Sequence, residues 1–224
     1  MFRLLRLKPP HGWSAVGWEL GIVTLGVLIA LGAQQLVEAI HQRNAVAQLR
    51  GALRAELADD RGRWQNMREA DRCTRQRLDA LDRWAETAPP SARLHRGFVL
   101  RLWNMHSSAW DVAKTSAATA GIPLDEQLTY GELYAAIDNW REYLAEERVN
   151  ALELASLLES ADDPALRRRI KFSIAKARVF VRRRGDNYPY FFERFDALKI
   201  RPDFSQVTIA RDPNALCKPM EQVG

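Results

Sequence analysis

The chain has 224 residues, 47% of them hydrophobic and 27% charged, with a formal net charge of +5. That length allows one or two domains with a sizeable core. The mild charge, its signs interleaved, argues against a bulk-basic nucleic-acid binder, and two cysteines without C-x-x-C spacing argue against a cysteine metal cage or a redox pair.

Residues 1–13 read as a basic leader with Arg3, Arg6 and Lys8, broken by Pro9 and Pro10. Residues 14–38 read as a transmembrane helix. From Leu20 to Val37 no residue is charged, and Leu, Ile, Val, Ala and Gly dominate. The run lies near the lower end of the roughly 17–25 residues that cross a bilayer as a helix. Ser14 is a candidate N-cap, and Trp13 and Trp18 stand where interfacial aromatics stand. Glu19 falls at headgroup level, near the positive end of the helix dipole. Two other readings are a buried soluble helix and a cleaved signal peptide, with Ala30-Leu31-Gly32 as a small-x-small site. The long basic region, Glu19 and the unbroken helical pattern count against cleavage. Gly17 with Gly21, and Gly26 with Ala30, are spaced as in helices that meet within a membrane.

Residues 39–200 read as a helical bundle. No proline occurs between Pro10 and Pro89, so the membrane helix can run on into water. Val46, Leu49, Leu53, Leu57, Trp64, Met67, Ala70, Leu78, Leu81 and Trp84 form one apolar stripe. The other face carries Arg43, Arg54, Asp60, Arg61, Arg68, Arg72, Asp79 and Asp82. Gly51 and Gly62 are possible bends, and Asp59 to Arg63 interrupts the stripe. A second helix is expected over 91–120 with Val99, Trp103, His106, Trp110, Ala113 and Ala117 inward. A third is expected over 125–160, and a fourth from Pro164, fraying near 184–187. Tyr188, Tyr190, Phe191, Phe192 and Phe195 are expected to cover one end of the bundle. Residues 201–224 read as a mostly irregular tail, with Val207-Thr208-Ile209 as a strand candidate. The class is all-α: a transmembrane helix continuing into a long helix, packed with about three more as an antiparallel bundle.

The chemistry-bearing residues form no familiar constellation. Glu38-x-x-His41 lacks the second copy that a di-iron bundle needs, and His95 and His106 have no glutamate three residues before them. His106, between Trp103 and Trp110, reads as a core histidine. Ser107 and Ser108 lack a nucleophile-elbow context, and neither common phosphate loop is present. The pairs Asp59-Asp60, Glu146-Glu147 and Asp162-Asp163 read as solvated faces or caps. Neither a catalytic residue nor a metal or cofactor site is therefore assigned. Arg167, Arg168, Arg169, Lys171, Lys176, Arg178, Arg182, Arg183 and Arg184 crowd one helix. They could bind phosphates of lipid or nucleic acid, or form a solvated face paired with Glu142, Glu146, Glu147 and Glu153. Cys73 and Cys217 could form a disulfide in an oxidising compartment, or stay as two buried thiols.

The stretch WSAVGWELGIVTLGVLIALGAQQLVE resembles the opening of a broad group of uncharacterised bacterial single-pass membrane proteins. Glu19, Gly26, Leu28, Ile29, Ala30, Leu31 and Gln34 carry the likeness, although the W-N ending common in that group is replaced by Leu36-Val37-Glu38. Ser108 to Lys114 is similar to a T-W-E-x-A-like segment of the same group. The resemblance implies an inner-membrane protein with a helical domain, and it transfers no activity.

The expectation is thus a membrane-anchored, non-enzymatic interaction, sensory or structural module. Basic residues are balanced across the span, with Arg3, Arg6 and Lys8 before it and Arg43, Arg50 and Arg54 after it. The short leader and the two cysteines favour a periplasmic domain. Its expected partners are the bilayer and either a second copy or another protein, with nucleic acid disfavoured. The alternative is a cytoplasmic-facing domain that binds anionic lipid or nucleic acid through Arg167 to Arg184.

Overall fold

A computed structural model describes residues 13–87, 93–94, 104–159, 163–205, 217 and 222–223. The elements are α1 (Trp13–Thr87), β1 (Arg93–Leu94), α2 (Ser108–Thr115), a 3-10 turn (Ala117–Gly121), α3 (Leu124–Glu159), α4 (Pro164–Ala197) and β2 (Gln222–Val223). Among the described residues the protein is all-α apart from one short antiparallel pairing, Arg93 opposite Val223 and Leu94 opposite Gln222. The chain divides into two units, residues 1–48 and Leu49–Gly224.

The first unit contains the N-terminal part of α1. Every residue from Val16 to Ala45 is exposed, including Leu20, Ile22, Val23, Leu25, Leu28 and Ile29. This stretch is long and apolar enough to cross a membrane.

The second unit is built on α1 from Leu49 onward, α3 and α4. The predicted α1 stripe from Leu49 to Trp84 is buried. Its partners follow steps of seven residues along all three helices. Trp64, Trp140 and Phe191 stack as one layer, with ring centroids 5.5 Å apart for Trp64–Trp140 and 4.0 Å for Trp64–Phe191. One heptad further along α1 and α3, and one heptad back along α4, lie Asp71, Glu147 and Arg184. A further heptad gives Leu78, Leu154 and Ala177 in an apolar core with Leu81, Trp84, Ile170 and Ile174. Repeated seven-residue layers are what near-parallel helices need to interdigitate. Hydrogen-bonded pairs such as Asn150–Ser173 and Arg178–Asp82 run α4 antiparallel to both α3 and α1.

Each end of α4 is set by local chemistry. Pro164 opens it, and the Asp163 carboxylate accepts the N–H of Ala165 at 2.8 Å. At the other end Lys199 adopts φ 54, and Ile200 N–H returns to Phe195 C=O at 2.9 Å. Arg54 donates to the Leu198 carbonyl at 2.8 Å and Arg61 to that of Ile200. These two α1 arginines, from the face opposite the apolar stripe, therefore seat the end of α4.

The structure revises several expectations about the elements. α2 begins at Ser108, not near residue 91, and Arg93–Leu94 is extended. α4 does not fray at 184–187; it runs through Pro189 to Ala197 because Arg184, Tyr188, Phe191 and Phe195 are buried along it. Those aromatics form core layers rather than an end cover. Asp59 and Asp60 are buried rather than solvated. Gly62 lies under a crossing chain: Asp203 N–H bonds the Ala58 carbonyl at 2.8 Å, and a Cβ on Gly62 would sit 2.1 Å from the Asp203 carbonyl oxygen. The expected strand Val207 to Ile209, and Val99 and Trp103, lie outside the described residues.

The two helical glycines of α1 in this unit should respond oppositely. Gly51 faces open space, so Gly51→Ala should stabilise by about 0.5–1 kcal/mol. Gly62→Ala should destabilise by about 1–3 kcal/mol by pushing the Asp203 segment away. Urea unfolding of both variants checks this.

Candidate functional site

The arginine-rich helix does not present a continuous cationic surface. Arg184 is 3% exposed, Asp71 2% and Glu147 4%. The Arg184 guanidinium donates to Asp71 from Nε at 3.2 Å and from Nη2 at 2.5 Å, and to Glu147 from Nη1. The Tyr188 hydroxyl donates to Asp71 Oδ2 at 2.7 Å. Burial pulls the guanidinium pKa down, but the Glu147 and Asp71 carboxylates more than offset this and hold it above the ordinary value. Burial and then the Asp71 charge raise the Tyr188 phenol. The expected solvated Arg184 and Glu147 thus form the buried centre of the bundle.

Its neighbours are also engaged. Arg178 pairs with Asp79 and Asp82, each at 2.8 Å. Lys171 pairs with Glu86 and Arg169 with Glu153. Arg183 lies over the Tyr143 ring at 4.7 Å, Lys176 over Phe180 and Arg167 over Trp84. Arg168 is exposed. Arg182 lines a cleft with Arg75, Asp79 and Arg178.

The structure bonds Cys73 of α1 to Cys217, 144 positions further along the chain. Gly17, Gly21 and Gly26 have open space where a side chain would stand, and Ala30 is exposed.

A second constellation forms where α1 meets the segment before α2. Glu56 receives the Ala109 N–H on both oxygens, at 3.1 and 3.0 Å, and the Ser108 hydroxyl at 2.5 Å. It therefore caps α2 from another helix, with its charge at the positive end of the dipole. Asp60, fully buried, accepts the His106 N–H at 3.0 and 3.1 Å. Asp59 Oδ2 is held by Arg63 Nε at 3.0 Å and lies 3.2 Å from His106 Nδ1. Burial, reinforced by the Glu56 and Asp59 charges, pushes the Asp60 pKa well above the usual carboxylate range, against the His106 N–H and Arg63.

His106, expected in the core, has a side chain 45% exposed. It opens on a cleft of about 310 Å³ with Asn104, Arg141 and Arg148. Arg141 donates to Ser107 Oγ at 2.9 Å and Arg148 to Asn104 Oδ1 at 2.8 Å. Sequence reasoning missed this grouping because Asp59-Asp60 and His106 are separated by some 45 residues and lie on no shared motif. The break that Asp59-Asp60 makes in the α1 stripe was the visible signal.

Comparison with protein families, curated proteins and solved structures finds no match.

Replacing Arg184 by Met would leave two carboxylates buried without their cation, and should destabilise the protein by about 3–5 kcal/mol. Arg168→Met, at an exposed position, should stay within about 0.5 kcal/mol of the wild type. Chemical denaturation of the two variants distinguishes these arginines.

Proposed function

We propose that the protein is a single-pass protein of a bacterial inner membrane, anchored by the N-terminal part of α1, whose helical domain is periplasmic and works by binding rather than by catalysis. The observation that carries this reading is the Cys73–Cys217 disulfide. Disulfides persist in oxidising compartments and are rare in the cytosol. The wholly exposed apolar stretch supports the anchor, and the open glycine positions give a second copy room to approach within the bilayer.

The binding reading draws on the cleft beside His106. Two guanidiniums and an imidazole converge there with an amide, a set that suits an anionic group on a small ligand or a partner. Several carboxylates of the bundle are already engaged within the fold. Glu56 and Asp60 hold backbone N–H groups, and Asp71 and Glu147 hold Arg184.

A cytoplasmic domain that binds anionic lipid or nucleic acid through Arg167 to Arg184 has less to work with. Arg169, Lys171, Arg178 and Arg184 are each paired with acids of this chain. Phosphate contacts would have to compete with those pairs.

Thiol trapping in cells tests the proposal. Cells are quenched with acid, and the protein is treated with a bulky maleimide with and without prior reduction. Both cysteines should resist alkylation until reduced. Two thiols that are alkylated in the denatured, unreduced protein would contradict a periplasmic domain.

A further inference from the structure

The geometry points to a binding site for a first-row divalent transition-metal ion, of the zinc class, between Asp59, Asp60 and His106. One ligand atom from each residue, a carboxylate oxygen from each aspartate and an imidazole nitrogen, lies within 4.8 Å of the other two. Such a spread is what three ligands about 2.0–2.2 Å from one ion can close with small rotations.

Two further observations point to a ligand. Asp59 is 8% exposed, yet its Oδ1 has no hydrogen-bond partner among the described residues. An orphaned buried carboxylate oxygen is costly, and a cation would satisfy it. Asp60 is fully buried, and the His106 Nδ1 stands 3.9 Å from its Oδ1. Among the described residues, the burial of these two adjacent carboxylates is offset by Arg63 on Asp59, by the His106 N–H on Asp60 and by a half-exposed imidazole.

The surrounding contacts orient the ligands rather than consume them. Arg63 holds Asp59 by Oδ2 and leaves Oδ1 available. The His106 N–H bonds both oxygens of Asp60, and each oxygen retains a further lone pair. Partners of this kind fix the direction of metal-binding carboxylates. Calcium and magnesium prefer all-oxygen shells of six or more ligands, whereas one imidazole with two carboxylates suits zinc or a neighbouring first-row ion. His106 lies at the solvent boundary, so an ion has a path in and room to keep a water. Bound there, it would tie the segment before α2 to α1.

The test is zinc titration of the full chain in detergent, by calorimetry, on the chelator-treated wild type, His106→Ala and Asp59→Asn. Neither the exposed imidazole nor the isosteric amide should disturb the core, and circular dichroism checks this. The wild type should bind Zn²⁺, and each variant should weaken that binding about tenfold or more. Cobalt gives a second readout: the visible absorption of Co²⁺ in the wild type should lose intensity in His106→Ala, which decides the matter if Asp59→Asn fails to fold. No Zn²⁺ binding by the wild type, or affinity unchanged in a folded variant, would overturn the site and mark any remaining zinc as surface-bound.

Discussion

The bundle depends on one buried guanidinium. Arg184 reaches Asp71 on α1 and Glu147 on α3 from its place on α4, so a single side chain ties together the three long helices. Buried ion pairs seldom add net stability, because desolvation offsets the Coulomb gain; breaking one is costly. Such a group therefore acts on register. The pairing of 71, 147 and 184 is correct only when the stacked Trp64, Trp140 and Phe191 layer lies one heptad to one side, and the Leu78, Leu154 and Ala177 layer one heptad to the other. A slip of any helix would strand two carboxylates and an arginine in apolar surroundings.

The same logic governs α1 around Asp60. Glu56, Asp59 and Asp60 break the apolar stripe of α1 because they receive a different kind of partner. Backbone N–H groups of residues 106 and 109 have no helical acceptor, and Asp60 and Glu56 supply one each, while Asp59 takes Arg63. Arg54 and Arg61 do the converse for carbonyls at the end of α4. Polar residues of α1 thus anchor chain segments, and its apolar residues hold helices.

The sequence made some of this legible. The uncharged run from Leu20 to Val37, the stripe from Leu49 to Trp84 and the Asp163-Pro164 start of α4 all rest on local rules of hydropathy, period and capping, and local rules can be read in one dimension. The burial of Arg184 could not be read that way, since Arg182, Arg183 and Arg184 are identical in type. What separates them is the seven-residue step from Phe191 through Arg184 to Ala177, which becomes visible only when the aromatic residues are placed in the core. The start of α2 was misread because its cap, Glu56, lies on another helix. Gly62 looked like a bend and is instead a crossing point for the Asp203 backbone. The Asp59, Asp60 and His106 cluster likewise arises from tertiary contact alone.

The claim that organises this account is that the helical domain lies on the outer side of a membrane, held by α1. A fusion of the full chain to an enzyme that folds and acts only after export, joined after Gly224, tests it directly. Activity in intact cells, equal to that of a known exported control at matched expression, is the predicted result. A well-expressed fusion without activity would place the bundle in the cytoplasm. The disulfide would then lose its compartment, and the arginine-rich helix would become the leading candidate for the site of function.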